Sequence, residues 1–358
     1  MLPRRCLPRQ TYHLTRRCSQ RQLLLTPDRT TRAIFHYALA LASARTDVQV
    51  HALVVEANHF HMIVTDHEVP ALPAFVHQLD QLVARAMNAR LGRGENFWAP
   101  GSFSSVELHG KDTVWEHMLY VLSNPTKDGL TRDLKSWPGL KSLPEQIGAP
   151  PVVVRKPETA FFGGRRPKGI RRDFGPEGER LPRRPRPKRE RLQDAARAAR
   201  SLLPDAVPFR FSVPPQFRRQ GVETFQRQLH DALELRLLKI REERRAEGKP
   251  GFMGPAAVRA QSPFAQAGHT EPQFKRNPRI ACRGNNRWRI LLLAGLKAWR
   301  ELYRQARQAW ARGKRRRPFP HGSYALPTFH SARVAEDAEV YFGLSPPLLA
   351  PTSTQPIE

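Results

Sequence analysis

Apolar residues recur at two different periods along the first 130 positions of this chain, and the alternation between the periods sets the order of its elements. Tyr12 to Thr15 is a short β-rich run, closed by the basic, polar stretch Arg16 to Arg21. Thr26-Pro27-Asp28 offers an N-cap, a proline at the first helical position and an early acid. It predicts a helix to about Arg45 with Ile34, Leu39 and Leu41 on its apolar side. Val48 to Asp66 then holds two β-rich runs about the break Glu56-Ala57-Asn58, the pattern of a β-hairpin. Ala71 to Leu91 returns to helical spacing through Phe75, Leu79, Leu82, Val83 and Met87, and Gly92-Arg93-Gly94 ends it. Ser102 to Leu108 has the length and Phe/Val content of a fourth strand, and Asp112 to Asn124 is a helix stopped by Pro125 and Gly129. The order strand, helix, strand, strand, helix, strand, helix suits an α+β fold of ferredoxin-like type, an antiparallel sheet with helices packed on one side.

The pattern changes after residue 150. The interval 151–191 carries fourteen basic and five acidic residues among many prolines. Like-charge density and proline oppose a packed core, so this interval reads as an extended basic linker, with Arg183, Arg184 and Arg186 as phosphate-contacting candidates. Helical periodicity returns at Gly221 to Glu247, where Val222, Phe225, Leu229, Leu233, Leu237 and Ile240 form one stripe. It appears again at Arg287 to Arg312, which mixes leucines and tryptophans with arginines and runs into Lys314, Arg315, Arg316 and Arg317. The expected domains are therefore 1–150, a linker 151–191, a basic helical accessory region 192–335 and a disordered tail 336–358.

Charge sharpens this division. The formal net charge is +28, yet residues 1–150 hold 17 basic against 13 acidic residues, a net +4, which leaves +24 for the other 208. Such a field draws phosphate backbones through counterion release, and nucleic acid is the favoured partner, with Arg16 and Arg17 joining the basic candidates of the second half. Three scattered cysteines, Cys6, Cys18 and Cys282, form neither a disulfide framework nor a zinc knuckle. The longest apolar run, Ile290 to Leu296, is too short to span a bilayer, so a soluble, cytoplasmic protein with no membrane partner is expected.

Within the hairpin, His59 and His61 stand two apart on one strand, so their side chains project from the same face while Phe60 points into the opposite layer. An isolated His-x-His is more often two partly exposed histidines on a sheet, and a second element is needed to make it a metal-ligand pair. Tyr120 and Asn124, at i and i+4 in the last turn of their helix, bring a phenol and a carboxamide together. Alone they would read as a core tyrosine and a helix-stopping asparagine.

Taken in order, these pieces resemble the single-tyrosine HUH transposases, and among them the REP-associated tyrosine transposases. The resemblance covers about residues 10 to 135. It runs from Tyr12-His13-Leu14-Thr15-Arg16-Arg17 through Val50-His51-Ala52, Asn58-His59-Phe60-His61 and Phe97-Trp98 to Ser104-Ser105-Val106 and Tyr120-Val121-Leu122-Ser123-Asn124-Pro125 with Gly129-Leu130. Glu56-Ala57 stands where the family usually has Met-Pro, and Cys18 where it usually has glycine. The resemblance implies the same fold, a Mg²⁺ or Mn²⁺ cofactor, and cleavage and rejoining of single-stranded DNA at hairpin sites through a 5′-phosphotyrosine intermediate. Tyr120 takes the nucleophile's position, His59 and His61 the metal's, and Asn124 that of a third ligand, with Glu56 as the weaker choice. Imidazole ligands by themselves suit Zn²⁺ or Ni²⁺ equally well. A catalytically silent DNA- or RNA-hairpin-binding protein is the alternative; it accounts for the basic half but leaves the four site residues unexplained. Monomer and homodimer both remain open.

Overall fold

The computed structural model describes residues 4–101, 103–159, 161–162, 202–268, 278–284 and 286–335. Strand β1 (Thr11–Arg17) leads to helix α1 (Arg29–Thr46), hairpin strands β2 (Gln49–Val55) and β3 (His59–Thr65), helix α2 (Leu72–Leu91), strand β4 (Ser104–His109) and helix α3 (Lys111–Lys127). This is the order expected from the sequence, and the class is α+β. The later part adds β5 (Val152–Arg155) and β6 (Ala206–Phe209), helices α4 (Val222–Ala246) and α5 (Pro255–Ala260), strand β7 (Ile280–Cys282), and helices α6 (Asn286–Ala311) and α7 (Ala325–His330).

The main sheet has the order β2-β3-β1-β4-β7. Its first four strands pair antiparallel, whereas β7, from the second half, joins β4 in parallel and makes the sheet mixed. The register of β1 with β3 pairs Arg17 with His59, Thr15 with His61 and His13 with Ile63, while Arg16, Leu14 and Tyr12 oppose Phe60, Met62 and Val64. Directly opposed residues share a face, so histidines and hydroxyls line one side of the sheet and large apolar groups the other. α1 and α2 cover the apolar side, where Phe60 meets Phe35 of α1 and Trp98 edge to face. α3 crosses the histidine side, so helices cover both faces of the sheet and not one alone. Behind α3 lies α4, whose Phe225 packs on Trp115 and whose Arg236 reaches Ser123 and Glu116 of α3.

Local chemistry explains where elements begin and end. α1 is capped by Asp28, whose Oδ1 accepts from the Thr31 N–H, and not by Thr26, whose hydroxyl is turned to the Leu23 carbonyl. A carboxylate at the cap also recruits Arg90 from α2, which ties the two helices together. α3 runs through Pro125 to Lys127, one turn beyond the expected stop. Proline forfeits one intrahelical bond, but the turn is closed behind it by Asp128 N–H to the Asn124 carbonyl and Leu130 N–H to the Pro125 carbonyl, with Gly129 at φ +73°.

The core does not divide at residue 150. Phe225, Leu229, Leu233 and Leu237 of α4 and Val207 and Phe209 of β6 belong to the same buried cluster as β1, β3 and α3. A β-bulge in β2 falls at His51, and it turns that fully buried ring so that its two nitrogens meet the Ser212 carbonyl at 2.7 Å and the Thr65 hydroxyl at 2.7 Å. The second half is thereby pinned to the sheet edge. Smaller clusters form on α6, around Leu292, Leu296 and Trp299, and around Ala306 and Phe319. Arg183, Arg184 and Arg186, most of the linker, and the tail from 336 lie outside the described residues. Among the described residues, no helix is long and apolar enough to cross a membrane, and all three cysteines are free.

Burial lowers His51 to about 4, His36 to about 4 and His13 to about 3. Each takes up a proton near pH ~6.5 when unfolded and resists it when folded, so acid favours the unfolded chain. Stability should be full above pH ~6.5 and fall as the pH drops towards 4, with His51 alone contributing about 3 kcal/mol over that window. Urea unfolding followed at pH 7.5, 6 and 5 checks this. His51→Gln, which keeps a donor and an acceptor but cannot ionise, should flatten the decline.

Candidate active site

Four side chains from β1, β3 and α3 form a continuous line on the histidine face. His59 Nε2 lies 3.1 Å from His61 Nε2, His61 Nδ1 lies 3.0 Å from His13 Nε2, and His13 Nδ1 lies 2.9 Å from His117 Nδ1. The Thr15 hydroxyl, directly across the ladder, is also 3.0 Å from His61 Nδ1. Burial drives His59 down to about 4, with Arg17's charge helping, and drives His61 well below the ordinary histidine range, with His59 and His13 adding to the effect. These are neutral imidazoles at physiological pH.

One proton position follows from its partner. The Asn58 carboxamide oxygen can only accept, and it stands 2.6 Å from His59 Nδ1, so Nδ1 carries the proton and Nε2 presents its lone pair. With Nδ1–H of His61 donated to His13 or Thr15, and Nδ1–H of His13 donated to His117, the Nε2 atom of His61 likewise faces His59 as a lone pair. In that tautomer set the two lone pairs converge 3.1 Å apart, an arrangement suited to a cation; in the reverse set His61 Nε2–H donates to His59 Nε2.

The carboxylates come from the hairpin turn and the end of α3. Glu56 Oε2 is 3.6 Å from His59 Nε2, and ligand atoms of Glu56, His59 and Asp128 all fall within 4.8 Å of one another. Burial, and then the charge of Asp128, raise the Glu56 carboxyl well above the usual carboxylate range. Such a pair holds either a shared proton or a cation. Asn124, 2% exposed, enters through Glu56, to whose Oε1 its Nδ2 donates at 3.1 Å.

Tyr120 is half-buried on the same side, its ring 5.4 Å from that of His61 and 5.8 Å from that of His13, with Lys127 Nζ 4.9 Å from its centre. The structure thus brings His59, His61, Tyr120 and Asn124 into one site. The basic candidates divide. Arg17 lies near His59, whereas Arg16 is on the other face, where it pairs with Asp80 at 3.0 Å and donates to the Gly101 carbonyl. Lys314 to Arg317 are exposed beyond α6, with Arg315 stacked 4.1 Å from Trp310 and Arg317 bonded to Gln305.

Sequence reasoning passed over His13, His117 and Asp128. His13 and Thr15 share their face with His59 and His61 by the same two-residue period, and Asp128 extends the Tyr120, Asn124 spacing by another turn once the helix is allowed past Pro125. His117 lies three residues before Tyr120 and so on the same face of α3. The residues that could hold a divalent ion are His59 and His61, with Glu56 and Asp128 supplying the oxygen ligands that Mg²⁺ or Mn²⁺ favours. Two cis ligands at ~2.1 Å from an octahedral ion are about 3.0 Å apart, close to the spacing of the two Nε2 atoms, so the donor set fits.

Residues 6–118 match the family model described as "Transposase IS200 like". Among solved structures, one described as a REP-associated tyrosine transposase bound to a REP hairpin is 22% identical, with a TM-score of 0.33, covering 38% of this chain and 78% of that one. A putative transposase from Deinococcus radiodurans is 20% identical, with a TM-score of 0.25, covering 31% of this chain and 87% of that one. None of the curated proteins matches the chain.

In the metal-free protein at pH 7, imidazole ¹⁵N resonances should show His59 neutral and protonated at Nδ1. His13→Ala should redistribute the His61 tautomers, and His13→Gln, which retains an acceptor, should restore them in part. A protonated Nε2 on His59 would reverse the assignment.

Proposed function

We propose, from the match of residues 6–118 to the IS200-like transposase model, that the protein is a metal-dependent transposase that cleaves and rejoins single-stranded DNA through Tyr120. The observation that carries the reading is the half-buried phenol of Tyr120 set against the rings of His61 and His13, beside the Nε2 atoms of His59 and His61, 3.1 Å apart.

In the proposed chemistry the Tyr120 oxygen attacks a backbone phosphorus in line with the leaving 3′ oxygen. A tyrosine O–P bond forms and the P–O3′ bond breaks. The phenolic proton leaves, the 3′ oxygen gains one, and the products are a 5′-phosphotyrosine and a free 3′ hydroxyl. Attack by a 3′ hydroxyl on the same linkage reverses the step and joins strands, so no external energy source is required. A bound Mg²⁺ or Mn²⁺ would supply charge neutralisation on the phosphate oxygens and favour the phenolate. His59 and His61 would hold the ion from the sheet, and Glu56 and Asp128 from the hairpin turn and the end of α3. Asn124 keeps Glu56 in place, a role behind the ligands in place of the direct ligation expected from the family pattern. His13 and Thr15 fix the ring of His61.

The substrate class proposed is a single strand with hairpin structure. The net charge of +28 and Arg17 at the edge of the site support a polyanionic substrate, and unpaired bases offer edges that a duplex conceals. The protein is taken to act in the cytoplasm, at the nucleoid when bound to DNA.

Incubation with single-stranded hairpin oligonucleotides and Mn²⁺ should give a covalent adduct that peptide mapping places on Tyr120. Tyr120→Phe keeps the ring and removes one oxygen, so the adduct should vanish while the melting temperature and DNA affinity change little. Undiminished cleavage, or DNA attached to Tyr12, Tyr37 or Tyr303, overturns the assignment. His59→Ala/His61→Ala should lower Mn²⁺ affinity in calorimetry by at least tenfold and abolish cleavage. Glu56→Gln should lower it as well, separating a carboxylate ligand from a bystander.

A further inference from the structure

A cavity of about 330 Å³ opens on the β2 side of the molecule, between α1, the segment 139–150 and the residues following β6. Three cations line it, Arg32 from α1, Lys141 from the segment that runs along β2, and Arg210 from the second half, and no carboxylate is among its lining residues. Among the described residues, neither Arg32 nor Arg210 has a side-chain hydrogen bond or ion pair. Lys141 gives its ammonium to the carbonyls of Lys135 and Trp137. His36 and Phe209, edge to face at 5.4 Å, complete an aromatic wall, and His36 Nε2 has no hydrogen-bond partner.

The cations are close enough to influence one another. Burial lowers Lys141 below the ordinary lysine range, and Arg32's charge lowers it further despite an opposing contribution from Asp133. The same guanidinium works against His36. Like charges gathered round an open cavity with no lining acid are stabilised by an anion, and guanidinium groups bind phosphate oxygens most favourably. The volume admits one nucleotide, within the usual range for small-ligand sites.

We propose that this cavity binds the phosphate of a nucleotide, held by Arg32, Lys141 and Arg210. A free nucleotide and a nucleotide unit of a DNA strand share that chemistry. The second source is favoured by position: Val55 N–H donates to the Leu140 carbonyl in the cavity wall, and Val55 immediately precedes Glu56. A strand cleaved at Tyr120 would have this cavity beside the hairpin that carries the site. Identification of the strand as the source rests on the DNA-cleaving function; the phosphate chemistry does not. The site joins residues from both halves of the chain, and Lys141 and Arg210 lie outside the segment that matches the family model.

The full-length protein is titrated by calorimetry with inorganic phosphate, thymidine 5′-monophosphate, thymidine and a 5′-phosphorylated pentathymidine. Saturable binding of the monophosphate but not thymidine is expected, with at least tenfold loss in Arg32→Gln/Arg210→Gln. Ala149→Phe, which fills the cavity and keeps every charge, should lose it as well. Tighter binding of the pentanucleotide assigns the site to the strand, and its salt dependence should then be shallower by about 1 in the double variant. Binding of the monophosphate alone assigns it to a free nucleotide. A control of equal charge change, Arg315→Gln/Arg316→Gln, should leave monophosphate binding unchanged. Equal losses in the control, or intact binding in well-folded Arg32→Gln/Arg210→Gln and Ala149→Phe, overturn the proposal. Tyr120→Phe should retain monophosphate binding, so failure of the cleavage chemistry and failure of the cavity are read separately.

Discussion

Burying a row of imidazoles between a sheet and a helix is possible only if every ring is neutral and its polar nitrogens are satisfied, because an unpaired polar atom in such a place costs several times what an ordinary hydrogen bond returns. His13, Thr15, His59 and His61 meet that demand through one another and through Asn58 and His117. The requirement fixes the pairing of β1 with β3. A slip of one residue would put Leu14 and Phe60 under α3 and bury the histidines among Phe35 and Trp98 on the far side, where no partner waits for them. The ladder, the two-faced sheet and the placement of α3 all follow from satisfying these rings.

The position of α3 depends in turn on the second half of the chain. Its outer face is covered by α4 through Phe225, Leu229, Leu233 and Leu237, and Arg236 joins Ser123 and Glu116 from outside. β7 extends the sheet beyond β4, and His51 fastens Ser212 to the opposite edge. Residues far from the site in sequence therefore hold the helix bearing Tyr120 against the sheet.

Much of this was legible from periodicity. The two-residue period of the hairpin placed His59 and His61 on one face, and the helical stripe from Val222 to Ile240 announced α4. What escaped did so for physical reasons. Periodicity reports that a helix has an apolar face but not what covers it, so the stripe of α4 was assigned to an accessory region of its own when its partner is α3. β7 is three residues long, too short for any alternation to register. Proline was read as a stop because it forfeits one bond, yet the closing bonds at Asp128 and Leu130 recover the turn, and the misread end concealed Asp128. Glu56 was ranked below Asn124 because a carboxamide and a carboxylate cannot be ordered by spacing; the difference lies in which of them reaches His59, and that is a distance of 3.6 Å.

The carboxyl pair also bears on the division of labour between the two halves. A phosphate approaching Tyr120 must come near Glu56 and Asp128, and two anions beside a third would repel it strongly in a site this dry. The basic residues of α6 and Lys314 to Arg317 cannot cancel that repulsion, since exposed charges more than about 8 Å away are screened at physiological ionic strength. Relief has to come from within the site, as a proton shared by the pair or as a cation held between the carboxyls and the imidazoles. A shared proton would relieve the carboxyl pair alone, whereas a cation would also engage the Nε2 atoms of His59 and His61. The acids that make the pocket hostile to an empty state are thus the reason that strand binding by the basic half and ion binding by the sheet would be coupled, each lowering the cost of the other.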